Sequence, residues 1–163
     1  GVEHADGNLY TGKQVILTPI ERTYTAQLNK AISLWTALGC NVVQMSPQAH
    51  DAAYAAVSHL PHLIAFTLMK SISGQAQGAD FLSLAGPGFR DFSRIAASDS
   101  KMWRDILIAN REELLAQSKI FQQTLQSLEK LIAASDGDAL ERQLEKASEA
   151  RANWRLSTQK PHK

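Results

Sequence analysis

Asn41-Val42-Val43-Gln44-Met45-Ser46-Pro47 is where the chain passes from one architecture to another. Its first five residues read as a short strand, and Ser46-Pro47 reads as a helix start, with serine as N-cap and proline at the first helical position. Going back from it, Gly39 stands where a helix C-cap belongs. The segment Glu21–Leu38 carries Tyr24, Leu28, Ala31, Ile32, Trp35 and Leu38 at the spacing of one helical face. Before it, Gln14-Val15-Ile16-Leu17-Thr18-Pro19 reads as a second strand, an almost unbroken apolar run stopped by proline. Strand, helix and strand within residues 1–46 make a βαβ crossover, and two strands do not form a stable parallel sheet alone. The expectation is the tail of a larger α/β domain that begins upstream.

Going forward, the helix after Ser46 carries Ala52, Ala55, Ala56, Val57, Leu60, Leu63, Ile64, Phe66 and Leu68, too many apolar positions for one stripe, so it should be buried on most sides. Pro61 removes an amide inside that helix and predicts a kink. A glycine-rich loop, Gly86–Asp99, follows a short segment around Phe81–Leu84. Ser98-Asp99 then caps a long helix from Ser100 to Ala134 with Trp103, Ile106, Leu107, Asn110, Leu114, Phe121, Leu125, Leu128 and Ile132 in its repeat. At about 1.5 Å per residue it would run on the order of 50 Å, more than a small domain, so part of it should meet a partner chain. Asp136-Gly137-Asp138 reads as a turn before a last amphipathic helix, and Lys160–Lys163 as a frayed tail.

The net charge of +1, from 17 basic and 16 acidic side chains, gives no global field to recruit nucleic acid or an anionic membrane. The single cysteine, Cys40, excludes an intrachain disulfide and a cysteine metal cluster, and fits a reducing compartment. No unbroken run of about 18 apolar residues is present. A cytoplasmic protein with neither a nucleic-acid nor a membrane partner is expected.

Two groups of residues could carry chemistry. His50, Tyr54, Ser58 and His62 recur every four positions on the apolar helix, and His59 adds another imidazole; polar groups aligned this way suit the wall of a cleft. The plainer alternative is core histidines bonded to carbonyls. His59 and His62 lack a third metal ligand, so no metal is expected, and Ser58 lacks the glycines of a nucleophile elbow. In the loop, Arg90 and Arg94 can present two guanidinium groups to one carboxylate or phosphate, with Asp91 holding or neutralising one of them; a solvated charged turn is the alternative. Gly86 and Gly88 do not make a dinucleotide fingerprint.

Together, Val15-Ile16-Leu17-Thr18-Pro19, Ser58-His59-Leu60-Pro61-His62, and the run Gly88-Phe89-Arg90-Asp91-Phe92-Ser93-Arg94-Ile95-Ala96 through Ser98-Asp99 to Met102-Trp103-Arg104-Asp105 resemble the prephenate/arogenate dehydrogenase family. The resemblance implies a mainly α fold. Residues 47–163 would be an all-helical dimerisation and substrate-binding domain, similar to the C-terminal domain of 6-phosphogluconate dehydrogenase. Residues 1–46 would be the βαβ tail of a Rossmann-type NAD(P)-binding domain. It implies NAD(P)-dependent oxidative decarboxylation of prephenate to 4-hydroxyphenylpyruvate in tyrosine biosynthesis, or of arogenate to tyrosine, with tyrosine as an inhibitor.

By the same resemblance, Arg94 binds the ring carboxylate of the substrate and His62 contacts substrate in the cleft. Ser58, His59 and Arg90 occupy neighbouring positions, Asp91 belongs to a charged network at the entrance, and Trp103 lies near the partner subunit's active site. Ser100 stands where relatives carry proline. The family's general-base histidine and cofactor fingerprint would lie upstream, since Gly1-Val2 resembles the residues just after its His-Pro motif, so no catalytic residue is expected in this chain and NAD or NADP would be held mainly by the upstream domain. The reading from another class is a non-enzymatic, tyrosine-sensing dimerisation module.

Overall fold

A computed structural model describes residues 2–4 and 6–155; the expected frayed tail Lys160–Lys163 lies outside them. By proximity of the chain, residues 1–50 group with 128–163 in one compact unit and residues 51–127 form another. This grouping within one protomer is a different partition from the expected division at 46/47, which rests on kinship of segments.

The βαβ unit forms as its sequence dictates. Strands β1 (Gln14–Leu17) and β2 (Asn41–Gln44) pair in parallel, Gln14 opposite Asn41 and Leu17 opposite Gln44, and helix α1 (Thr25–Ala37) makes the crossover. Gly39 ends α1 with φ +79°, the left-handed conformation that glycine adopts without Cβ strain. Its amide donates to the Thr36 carbonyl at 2.9 Å and the Cys40 amide to the Trp35 carbonyl at 3.0 Å, the paired bonds of a Schellman motif. Tyr10 meets Trp35 edge to face, ring centroids 5.5 Å apart, and Cys40 is buried beneath them with its thiol 3.4 Å from the Tyr10 carbonyl.

Ser46 caps α2 (Pro47–Tyr54), its Oγ accepting from the Ala49 amide at 3.1 Å. The helix then widens into a π-helical turn, Ala55–His59, in which the Leu60 amide reaches back five residues to the Ala55 carbonyl, and continues as α3 (Leu60–Ser73). The π-helical turn lies just before Pro61, where the sequence predicts a kink: the proline has no amide to bond and its ring crowds the preceding turn, and the wider turn makes room. The expectation of a helix buried on most sides is corrected. Only Ala55 and Ala65 are buried, and Val57 is 74% exposed. By length and composition the continuous helix Pro47–Ser73 could cross a membrane, although the chain has no unbroken apolar run of that length. It carries Asp51, His59, His62 and Lys70 within that span.

Within residues 51–127, α3 is the element against which the others pack: α4 (Gly78–Ser83), α5 (Pro87–Ser93) and the 3₁₀ turn Arg94–Ala97. At Gly78 any larger residue is excluded, because a Cβ there would lie 2.4 Å from the Ile72 carbonyl oxygen. The expected loop Gly86–Asp99 is therefore mostly helical, with Gly86 in N-cap position and Pro87 at the first helical position, where its missing amide costs nothing. The expected single long helix is two. α6 (Ser100–Ala109), capped by Asp99 Oδ1 accepting from the Met102 amide at 2.7 Å, stops at Asn110, and α7 runs from Arg111 to Ala133. The span of α7 is about 35 Å, so the argument from excess length no longer holds. Asp136 then caps α8 (Gly137–Asn153), accepting from the Ala139 amide at 3.0 Å.

Candidate functional site

Four of the residues that sequence motifs single out, Ser58, His59, His62 and Trp103, meet where α3 approaches α6. Trp103, in the first turn of α6, is 7% exposed. Its ring stacks on His62, centroids 3.5 Å apart and planes 19° from parallel, and meets His59 edge to face at 6.3 Å and 76°. The π-helical turn places His59 at its end, and α3 carries His62 three residues on. His62 Nδ1 lies 2.9 Å from the Ser58 carbonyl oxygen. A carbonyl only accepts, so Nδ1 carries the proton and donates, the tautomer whose Nε2 is the acceptor. Ser58, half-buried, thus contributes its carbonyl to this arrangement.

Asn110, at the break between α6 and α7, donates from Nδ2 to the Asp51 carbonyl at 2.8 Å, and the same nitrogen lies 3.1 Å from His59 Nδ1. Sequence reading placed Asn110 in the apolar repeat of a long helix and gave it no role at the site. The available signal was a polar residue in an apolar register.

The arginine pair is arranged differently from the expected two-pronged anion clamp. Arg90, on α5, bonds through Nε to Asp91 Oδ1 at 3.2 Å, with the two side chains 76% and 72% exposed. An exposed pair of this kind adds about 0–1 kcal/mol, so it neutralises Arg90 only weakly. Asp91 neutralises rather than bridges. Arg94 opens the 3₁₀ turn that packs on α3, the helix that carries His62; it is exposed and among the described residues makes no ion pair. Trp103 sits against its own protomer's His62, with its indole largely withdrawn from water. Among the described residues no three of histidine, cysteine, aspartate and glutamate come together as metal ligands.

Two further features bear on chemistry. A cleft of about 480 Å³ opens at the carboxyl ends of both strands, lined by Pro19–Arg22 and Ser46–Gln48. In residues 51–127 an apolar groove of about 380 Å³ runs between α3 and α7, with Leu60, Ile64, Leu68, Phe121 and Leu125 on its walls.

The family model described as prephenate dehydrogenase, dimerization domain, matches residues 46–146. Cyclohexadienyl dehydrogenase of Zymomonas mobilis is 32% identical over 153 residues, 93% of this chain and 52% of that protein. Prephenate dehydrogenase of Bacillus subtilis is 29% identical over 152 residues, 93% of this chain and 41% of that protein. The crystal structure of Aquifex aeolicus prephenate dehydrogenase in complex with hydroxyphenyl propionate and NAD+ aligns at a TM-score of 0.85 with 38% identity, covering 93% of this chain and 54% of that one. Synechocystis arogenate dehydrogenase aligns at 0.81 with 30% identity, covering 93% and 56%. The chain thus spans about half the length of the relatives it matches. With the dimerization-domain model matched over 46–146 and this backbone shared with solved members, the chain belongs to the prephenate dehydrogenase family.

Proposed function

We propose that this chain is the substrate-gripping and dimer-forming C-terminal part of a cytoplasmic, NAD(P)-dependent prephenate dehydrogenase, residues 47–163 forming the helical domain and residues 1–46 the end of the nucleotide-binding one. The observation that carries it is the Trp103–His62–His59 cluster where α6 meets α3, with the 3₁₀ turn of Arg94, which makes no ion pair among the described residues, packed on α3, in a chain of this family. The substrate is a dianion with a ring hydroxyl. Arg94 suits its ring carboxylate, because a guanidinium meets a planar carboxylate with two parallel hydrogen bonds. His62 offers Nε2 to a hydroxyl, and the buried indole fixes the imidazole plane. Arg90, engaged by Asp91, contributes positive charge at the entrance rather than a second clamp.

The described residues do not fit the phosphate-binding part of a nicotinamide site: β1 runs into Pro19, and α1 starts at Thr25 without a glycine-rich turn between them. A bound nicotinamide cofactor would accept the hydride. What this chain does is bind, orient and exclude water. Arogenate in place of prephenate is the second reading, since relatives with the same backbone carry both names. The test is prephenate- and arogenate-dependent reduction of NAD+ and NADP+ by the complete polypeptide. Prephenate turnover is expected, and binding of tyrosine without any reduction of either cofactor would leave only a sensing module.

A further inference from the structure

We infer that Asn110 is a positioning residue that holds His59 in the Nε2–H tautomer, opposite to that of His62, so that one imidazole of the cluster gives a proton and the other gives a lone pair. The use of the two tautomers rests on the proposal that these histidines meet the substrate; the tautomer of His59 itself rests on hydrogen-bond geometry. Asn110 Nδ2 is 2.8 Å from the Asp51 carbonyl oxygen, which only accepts. That contact decides which end of the side-chain amide is which, an assignment that otherwise rests on choice. The atom 3.1 Å from His59 Nδ1 is therefore the amide nitrogen. An NH₂ group carries two hydrogens, one for each partner, and His59 Nδ1 accepts the second. The ring proton must then be on Nε2.

The backbone makes this hold firm. Asn110 sits at φ −109° and ψ 36°, outside the helical region, and is anchored on both sides: its amide donates to the Ile106 carbonyl at 3.2 Å, and its carbonyl accepts from the Leu114 amide at 3.0 Å. Three residues along the chain, His62 has the reverse assignment, because its Nδ1 donates to the Ser58 carbonyl. Both rings bear on the same indole. A substrate with carboxylates and a hydroxyl needs a donor and an acceptor side by side, and two neutral imidazoles supply both only when their tautomers differ. Protonating His59 on Nδ1 would set an N–H against an NH₂, so the imidazolium requires Asn110 to let go.

The test is long-range ¹H–¹⁵N correlation spectroscopy of histidine-labelled full chain at neutral pH. Expected are a protonated Nε2 for His59 and a protonated Nδ1 for His62. Asn110→Ala should give His59 a mixed pattern, and Asn110→Asp, which turns the partner into a pure acceptor, should move its proton to Nδ1, with His62 unchanged and helix content retained. A wild-type His59 protonated on Nδ1 overturns the inference, as does an unaltered His59 in both folded variants. The wild-type spectrum decides by itself if a variant fails to fold. In the complete enzyme, a rise in KM that exceeds the fall in kcat for Asn110→Asp would mark lost positioning. Absence of prephenate turnover in the wild type would sink the functional proposal and leave the tautomer result standing.

Discussion

At the scale of single residues, Trp103 and Arg94 do opposite work, one by being withdrawn from water and the other by facing it. Trp103 is among the few buried large side chains of the described residues and holds His62 by stacking. Trp103→Ala removes that surface and leaves a cavity, so a loss of roughly 3–5 kcal/mol is expected in urea unfolding. Trp103→Phe, which keeps an aromatic face, should cost clearly less; equal losses would mean that packing volume and not stacking is what His62 needs. Arg94 is exposed and packs little of its own, so Arg94→Ala should leave unfolding nearly unchanged. Truncating one partner of a close charge pair costs about 2–5 kcal/mol, so kcat/KM of the complete enzyme for prephenate should fall by roughly 30-fold or more with the dimer intact. Unchanged kinetics would remove Arg94 from the site. His59 and His62 were legible in sequence because polar side chains lined up on an apolar helix. Asn110 was not, because its role depends on a carbonyl 59 residues away in the chain, which no periodicity reports.

At the scale of elements, punctuation decided what could be read. The strands and the C-terminal end of the helix of the βαβ unit were legible because Pro19, Gly39 and Ser46-Pro47 make distinct backbone demands, whereas the helix starts at Thr25, with no capping side chain to mark it, and not at Glu21. The stretch after Gly86 was misread as a loop although Pro87 carried a helix-start signal, since glycines on both sides outweighed it. The break at Asn110 had no proline or glycine to announce it, and the apolar repeat resumed in the same register beyond that one polar residue. The end of α7 offers a quantitative test of the same logic. Ser135 has φ +53°, the one positive value among the described non-glycine residues, and occupies the position that Gly39 fills after α1. Its amide donates to the Ile132 carbonyl and that of Asp136 to the Leu131 carbonyl, both at 3.0 Å. A left-handed L-residue costs roughly 1–2 kcal/mol, and glycine gives back about 0.5–1 in chain entropy. Ser135→Gly should therefore raise stability by about 0.5–1 kcal/mol, read as a higher urea midpoint at constant slope. A fall would show that the serine side chain contributes more than its backbone loses.

At the scale of the whole molecule, the question is what covers α7. Leu114, Phe121, Leu125 and Ile132 lie on one face of it, at spacings of seven, four and seven residues that return to the same side of a helix. Their exposure climbs along that face, from 4% at Leu114 through 37% at Phe121 and 45% at Leu125 to 61% at Ile132. An apolar face that its own protomer covers at one end and leaves open at the other is the mark of a surface completed by another chain, and the family model names this region a dimerization domain. The same absence of cover accounts for the sparse core: helix Pro47–Ser73 has an interior helix's composition with only two buried residues. A composition that suits burial on most sides is what a helix covered by a second copy of the chain would carry. The sharpest site for a test is Ile132, because a change there disturbs little within a protomer. Ile132→Asp combined with Leu125→Asp places two charges on the face, each facing a desolvation cost only if a partner buries it. Sedimentation velocity at micromolar concentrations should then show a dimer for the wild type and a monomer for the variant, with helical circular dichroism retained. A variant that still sediments as a dimer would place the interface on another face of the domain.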